Sequence, residues 1–223
     1  MITINGLTKT FEHRTALAGV DLSIERGASV AVSGPDGEGR ATLMQLLATL
    51  IRPTAGTIVV GGLDAVTDVY RVRRLLAYAG PARILPNRLR VDEYLRFVAG
   101  ARHQPSAAAD VAADLVGLNR SAPIEALADQ ARGRLTLAAA IASGAAVLLL
   151  DQPFGGLDAA ARDRVCEWLV AARQNGTTVI VSDNEHVAGV CDRNVGLCDG
   201  CIIESSANSP SDQTVPPREL VGA

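Results

Sequence analysis

A chain of 223 residues with 48% apolar content can bury a sizeable core, as one large domain or two small ones. Its formal net charge of −3 excludes the broad basic surface of a nucleic-acid binder, so nucleic acid is not an expected partner. The longest strictly apolar run, Ala145 to Leu150, is far below the roughly 20 residues that cross a bilayer, no leader pattern opens the chain, and four cysteines at this length do not read as a disulfide framework, which points to a reducing setting.

Ile2 and Ile4 alternate with polar residues, and Ala16 to Ile24 repeats the alternation with Leu17, Val20, Leu22 and Ile24, which predicts an antiparallel β edge with Phe11 in the connection. Ala28 to Val32 reads as a short buried strand. The apolar spacing of Leu43, Leu46, Leu47 and Leu50 predicts a helix over Arg40 to Leu50, stopped by Pro53. Thr57 to Val60 returns as a strand closed by Gly61-Gly62, a basic cluster follows at Arg71, Arg73 and Arg74, and Leu75 to Ala79 reads as another strand. From Val91 to Ser143 alanine, leucine and charged residues dominate, which predicts three or four helices and almost no strand.

Val147-Leu148-Leu149-Leu150-Asp151 has the form of a central parallel strand that delivers a carboxylate to the sheet's C-terminal edge. A helix is expected over Ala159 to Gln174, a buried strand over Thr177 to Val181, and a hairpin over Asn194 to Ile203 turning at Asp199-Gly200. After Glu204 the polar, proline-containing tail, residues 205–223, carries too little apolar surface to pack and is expected to be disordered.

The chemistry centres on Gly34-Pro35-Asp36-Gly37-Glu38-Gly39-Arg40-Ala41-Thr42, between a strand and a helix. Glycines there turn the backbone tightly and aim N–H groups into one concavity, to which the helix N-terminus adds positive potential. The frame is that of the phosphate-binding P-loop, G-x-x-x-x-G-K-[ST], with Arg40 where the lysine stands and Ala41 where the metal-binding hydroxyl stands. Thr42 is one position late. Glu38 adds a carboxylate to an anion-binding loop, worth about 3 kcal/mol of repulsion per unit charge at ~6 Å and an effective dielectric of ~20 if it does not rotate outward.

A glycine loop, an all-helical interruption and a strand-terminal Asp151, in that order and at those separations, resemble the nucleotide-binding subunit of ABC transporters over residues 1 to 204. The resemblance implies an α/β P-loop NTPase core with an antiparallel β subdomain (residues 1–80 and 144–204) and an inserted α-helical subdomain (about 81–143). It implies ATP and Mg²⁺ as cofactors, dimerisation with a second ABC subunit, an integral membrane permease as partner, and a cytoplasmic location peripheral to the membrane. Phe11 would stack on adenine, residues 34–42 would cradle the phosphates, and Asp151 would reach Mg²⁺.

Departures from the family pattern concentrate at the reactive contacts. The family's catalytic glutamate is Gln152, an amide that can orient water but cannot take its proton, and its switch histidine falls on Asn184, with His186 two residues on and expected on another face. The glutamine that senses γ-phosphate falls on Pro81. The signature Leu-Ser-Gly-Gly reads Leu127-Ala128-Asp129-Gln130, so Ala128, Asp129 and Gln130 would face the partner without a serine hydroxyl or glycine amides, while Asp129 also suits ordinary helix capping. Asp158 stands where relatives reach across the dimer.

These substitutions favour a catalytically impaired ABC subunit acting as a structural or regulatory half. An ATPase completed by a partner and a free-standing nucleotide- or protein-binding regulator are the competing readings. Cys198-Asp199-Gly200-Cys201 supplies only half a zinc site and has no second Cys/His pair.

Overall fold

A computed structural model describes residues 1–35, 37, 39–81, 84–183 and 190–207. β1 (Ile2–Phe11) and β2 (Arg14–Ile24) pair antiparallel, Ile2 opposite Ile24 and Ile4 opposite Leu22. Their period of two puts Ile2, Ile4, Leu17, Leu22 and Ile24 on one buried face. Phe11 is the last residue of β1, opposite Arg14, and does not lie in the connection. The turn has only two residues, Glu12-His13, with Glu12 at φ 44°, so pairing extends to the strand tips.

β3 (Ser29–Ser33) runs through the glycine loop into α1 (Arg40–Leu47). The helix stops at Leu47, three residues short of the expected end. Thr49 takes a left-handed φ of 57°, its N–H donates to the Leu46 carbonyl at 3.0 Å, and the Leu50 N–H donates to Gln45 at 2.9 Å. That is a Schellman closure, which satisfies the last carbonyls before Pro53 is reached.

β4 (Ala55–Val60) turns at Gly61-Gly62 into β5 (Leu63–Asp64), and α2 (Val69–Leu75) leads to β6 (Leu76–Ala79). Between β6 and β7 lie α3 (Val91–Ala101), α4 (Ala107–Leu115), a 3₁₀ turn over Ile124–Ala126, and α5 (Asp129–Ala142). β7 (Val147–Asp151), α6 (Ala159–Gln174), β8 (Thr178–Ser182), β9 (Arg193–Cys198) and β10 (Cys201–Ala207) complete the described chain. β10 carries the hairpin beyond Glu204, where the tail was expected to begin; residues 208–223 lie outside the described set.

One sheet has four antiparallel strands in the order β2-β1-β4-β5, and the other has six in the order β10-β9-β3-β8-β7-β6. Within the second, β9, β3, β8, β7 and β6 are mutually parallel and β10 closes the edge antiparallel. Alternation sends Val30, Val32, Leu149, Ile180 and Val195 to the face shared with α1 and the four-stranded sheet. Ala31, Leu148, Leu150, Val179 and Val181 go to the face shared with α3, α4, α5 and α6. Both faces being covered explains why these strands read as continuous apolar runs. It also gathers the glycine loop after β3, Asp151 at the end of β7 and Ser182 at the end of β8 along one C-terminal edge, where open parallel sheets bind ligands.

Candidate functional site

The glycine loop is held by close backbone approach. A Cβ on Gly34 (φ 140°) would lie 2.1 Å from the Leu197 carbonyl oxygen of β9, and one on Gly39 (φ 103°) would lie 2.5 Å from the Ala16 oxygen of β2. Neither position admits another residue without moving backbone. The carbonyl of Gly37 accepts a hydrogen bond from the Arg14 guanidinium, so the tip of β2 also reaches the loop. Gly39 caps α1, whose first turn carries no acidic residue. Arg40 behind it is buried, 5% exposed, whereas Ala41 is exposed and Thr42 half-buried. Pro35 and Gly37 are exposed; Asp36 and Glu38 lie outside the described residues.

Phe11 is 44% exposed, with the Lys9 ammonium 4.7 Å from its ring centroid. Lys9 also donates to the Arg52 carbonyl at 2.9 Å, which fixes the cation over one ring face. Phe11 and Arg14, being directly paired, stand at the same edge of the four-stranded sheet as the loop.

Asp151 is buried, and its carboxylate accepts hydrogen bonds from the Tyr78 hydroxyl at 3.2 Å and from Ser182. Burial pushes this carboxyl above its ordinary 3.8, against the two hydrogen bonds and the nearby Arg40 guanidinium, which pull it down; Asp183 adds to the upward push. The native state therefore holds this proton more tightly than the unfolded chain does. The corresponding stability is complete below pH 3.8 and is lost as pH rises through the raised folded value. Asp151→Asn is accordingly expected to raise the thermal midpoint at neutral pH, by roughly 2–4 °C for each ~1 kcal/mol relieved. Melting curves of both proteins across pH check this, and a gain equally large below pH 3.8 would show that charge burial is not its cause.

Gln152, exposed, sits at a left-handed φ of 54° with its N–H donating to the Ser182 carbonyl at 2.7 Å. A non-glycine residue held there is an unusual backbone state that tertiary contacts must enforce. Asp151, Gln152, Pro153 and Gly155 line a cavity of about 190 Å³ with Pro81 and Thr136 of α5. The structure thus brings the Gln152 and Pro81 positions to the carboxylate.

Ala128, Asp129 and Gln130 form the exposed N-terminus of α5. Ala128 is the cap and makes no side-chain cap bond, so Asp129 is the first helical residue, stabilised by the helix dipole and not by capping. Gln130 packs on the loop after β7, where a Cβ on Gly156 would lie 2.8 Å from its own Cβ. Asp158 caps α6, its carboxylate accepting from the Ala161 N–H at 2.7 Å. Asn184 and His186 lie outside the described residues.

The cradle of Gly34, Gly37 and Gly39 with the α1 N-terminus and Arg40 fits a polyphosphate in its donors and charge. The cation side fits poorly: Ala41 has no oxygen to offer, Asp151 is partly committed to Tyr78 and Ser182, and among the described residues no group of three or more His, Cys, Asp or Glu could hold a metal.

Comparison with known proteins decides the family. The ABC transporter family model matches residues 17–155, and an ATP-binding protein for sulfate/thiosulfate import, CysA of Xylella fastidiosa (strain Temecula1), is 36% identical over 100% of this chain and 68% of its own length. The chain belongs to the ABC transporter family, as an ATP-binding domain. The daunorubicin resistance ATP-binding protein DrrA3 of Streptomyces coeruleorubidus is 34% identical over 81% of this chain and 59% of its own length. This ABC chain spans about 59–68% of the length of such curated relatives. The dimeric structure of MJ0796, a bacterial ABC transporter cassette, superposes with a TM-score of 0.85 at 22% identity, covering 94% of this chain and 99% of that one, which confirms the expected P-loop NTPase fold of ABC type.

Arg14, Tyr78 and Ser182 did not stand out in the sequence. The register of Arg14 against Phe11 would have flagged the first; the other two meet Asp151 only through strand order.

Proposed function

We propose that this chain is an ABC transporter subunit that binds nucleotide and hydrolyses it slowly or not at all. It would serve as a structural or regulatory half beside an integral membrane permease and a second ABC subunit. The observation that carries this reading is the contrast at the sheet edge: Gly34, Gly37 and Gly39 keep the glycine conformations of a phosphate cradle, while the cation set is reduced to a desolvated Asp151 followed by the amide of Gln152. In this reading Phe11 holds the base, residues 34–42 with Arg40 hold the phosphates, Ala128, Asp129 and Gln130 face the partner subunit, and residues 81–143 form the helical subdomain within a domain of residues 1–204. Asp158, exposed at the start of α6, meets the same partner. Among the described residues no helix is long and apolar enough to cross a membrane, consistent with attachment through a permease. The relatives' names differ in cargo, a sulfate importer and a drug-resistance protein, and so support no particular substrate.

Titration calorimetry tests the binding half. ATP is expected to bind with an affinity that changes less than about tenfold when Mg²⁺ is removed, since the cradle makes its contacts through backbone N–H groups. Strongly Mg²⁺-dependent binding, lost in Asp151→Asn, would contradict it. The retained glycines and Asp151 also support the second reading, an ATPase completed by a partner; phosphate release by the purified chain, alone and with a competent subunit, separates the two.

A further inference from the structure

The hairpin of β9 and β10 turns at Asp199 and Gly200, both at left-handed φ (49° and 73°), as a two-residue type I′ turn requires. Cys198 and Cys201 are therefore the first cross-strand pair, directly opposite each other. Directly opposed residues in an antiparallel ladder send their side chains to the same face with Cα atoms roughly 4.5–5.5 Å apart. That separation lies within the about 4.4–6.8 Å that a disulfide needs. Both thiols are free; Cys201 is exposed, with its Sγ 3.6 Å from the Ala18 carbonyl, and Cys198 is half-buried.

The other two cysteines are differently placed. Cys191 is buried, and burial pushes its thiol up to about 12; burial also raises the half-buried Cys166. A thiol held up in this way yields little of the thiolate that exchange requires. A metal is a poor occupant of the pair, because no third ligand from His, Cys, Asp or Glu joins it among the described residues.

The hairpin tip packs against β2 beside the glycine loop. The Ala18 N–H donates to the Gly200 carbonyl at 2.9 Å. A Cβ on Gly200 would lie 2.8 Å from the Ala16 oxygen that also confines Gly39, and Leu197, next to Cys198, confines Gly34.

We propose that Cys198 and Cys201 form a reversible disulfide site, oxidised by exchange with a low-molecular-weight disulfide. The Cys201 thiolate attacks one sulfur of the small disulfide, forming a mixed disulfide and releasing one small thiolate. The Cys198 thiolate then attacks the Cys201 sulfur, closing the intrachain bond and releasing the second. Two electrons pass from the protein dithiol to the small disulfide, and the two thiol protons end on the released thiols or in buffer. The closed bond cross-links the strand ends beside Leu197 and Gly200, where β9 and β2 clamp the loop.

The test incubates the full chain with oxidised glutathione, quenches in acid, alkylates the remaining thiols and maps them by mass spectrometry. The expected result is loss of two of the four alkylation adducts, both from the segment spanning Cys198 and Cys201, with no added glutathione and full reversal by dithiothreitol. Cys198→Ser is expected to stop at a glutathione adduct on Cys201, which confirms the order of attack. The proposal is overturned if the natural chain also stops at that adduct, if the lost thiols map to Cys166 or Cys191, or if oxidation links two chains. No step of this test depends on nucleotide binding.

Discussion

Gly34→Ala is expected to destabilise the chain by roughly 2–6 kcal/mol, combining the strain of a left-handed φ on an L-residue with a hard overlap. The added Cβ would sit 2.1 Å from the Leu197 oxygen and 3.1 Å from its carbonyl carbon, both backbone atoms of a strand paired on both sides, so nothing flexible can yield. Gly37→Ala is the control. Gly37 shares a left-handed φ of 86°, but a Cβ there meets only the Arg14 guanidinium at 3.6 Å, so only the conformational cost, about 1–2 kcal/mol, should appear. Urea denaturation of the three proteins gives both differences. If the two variants lose equal stability, conformation accounts for the loop's glycines and the contact of β9 with Gly34 is less rigid than described.

The parts of this fold that were legible in the sequence are those whose signal is local and strongly periodic. α6 ends at Gln174 as expected because Gly176, at a left-handed φ of 90°, marks its stop in the sequence. β7 is legible because a short, uninterrupted apolar run, Val147 to Leu150, ends in the carboxylate of Asp151, the form of a buried parallel strand. The apolar spacing overextends α1 because the helix stops at a Schellman closure on Thr49, a β-branched residue in a conformation that glycine normally marks. At the site, the glycine loop and Asp151 were visible from spacing. What could not be read were relations between strands far apart in the chain: Tyr78 of β6 and Ser182 of β8 flank Asp151 of β7 only because the strand order is β8-β7-β6. The roles of Ala128, Asp129 and Gln130 rest on the family resemblance, since one chain contains only half of the interface they would complete.

That half-interface makes restoration the sharpest test of the impaired-subunit proposal. On that proposal, Arg40→Lys, Ala41→Ser, Gln152→Glu and Asn184→His together would restore the loop lysine, a metal-binding hydroxyl, a general base and the switch that the family resemblance implies. A positioned general base alone is typically worth about 10²–10⁴-fold in rate. In a homodimer, however, the opposing helix would still present Ala128, Asp129 and Gln130, offering a carboxylate where donors are needed. The fourfold variant is therefore expected to bind ATP in a Mg²⁺-dependent manner and to hydrolyse it slowly. Adding Ala128→Ser and Asp129→Gly is expected to raise the rate by a further 10²–10³-fold, about the effect of restoring one transition-state hydrogen-bond donor. Asp129→Gly removes a favourable dipole contact from the first turn of α5, at a cost of about 1 kcal/mol, so stability should fall slightly while activity rises. Initial rates of both variants at equal concentration decide the matter. A fourfold variant that already turns over at ~1–10³ s⁻¹ would mean that the signature substitutions are neutral. The chain would then differ from an active ATPase only at residues it carries itself.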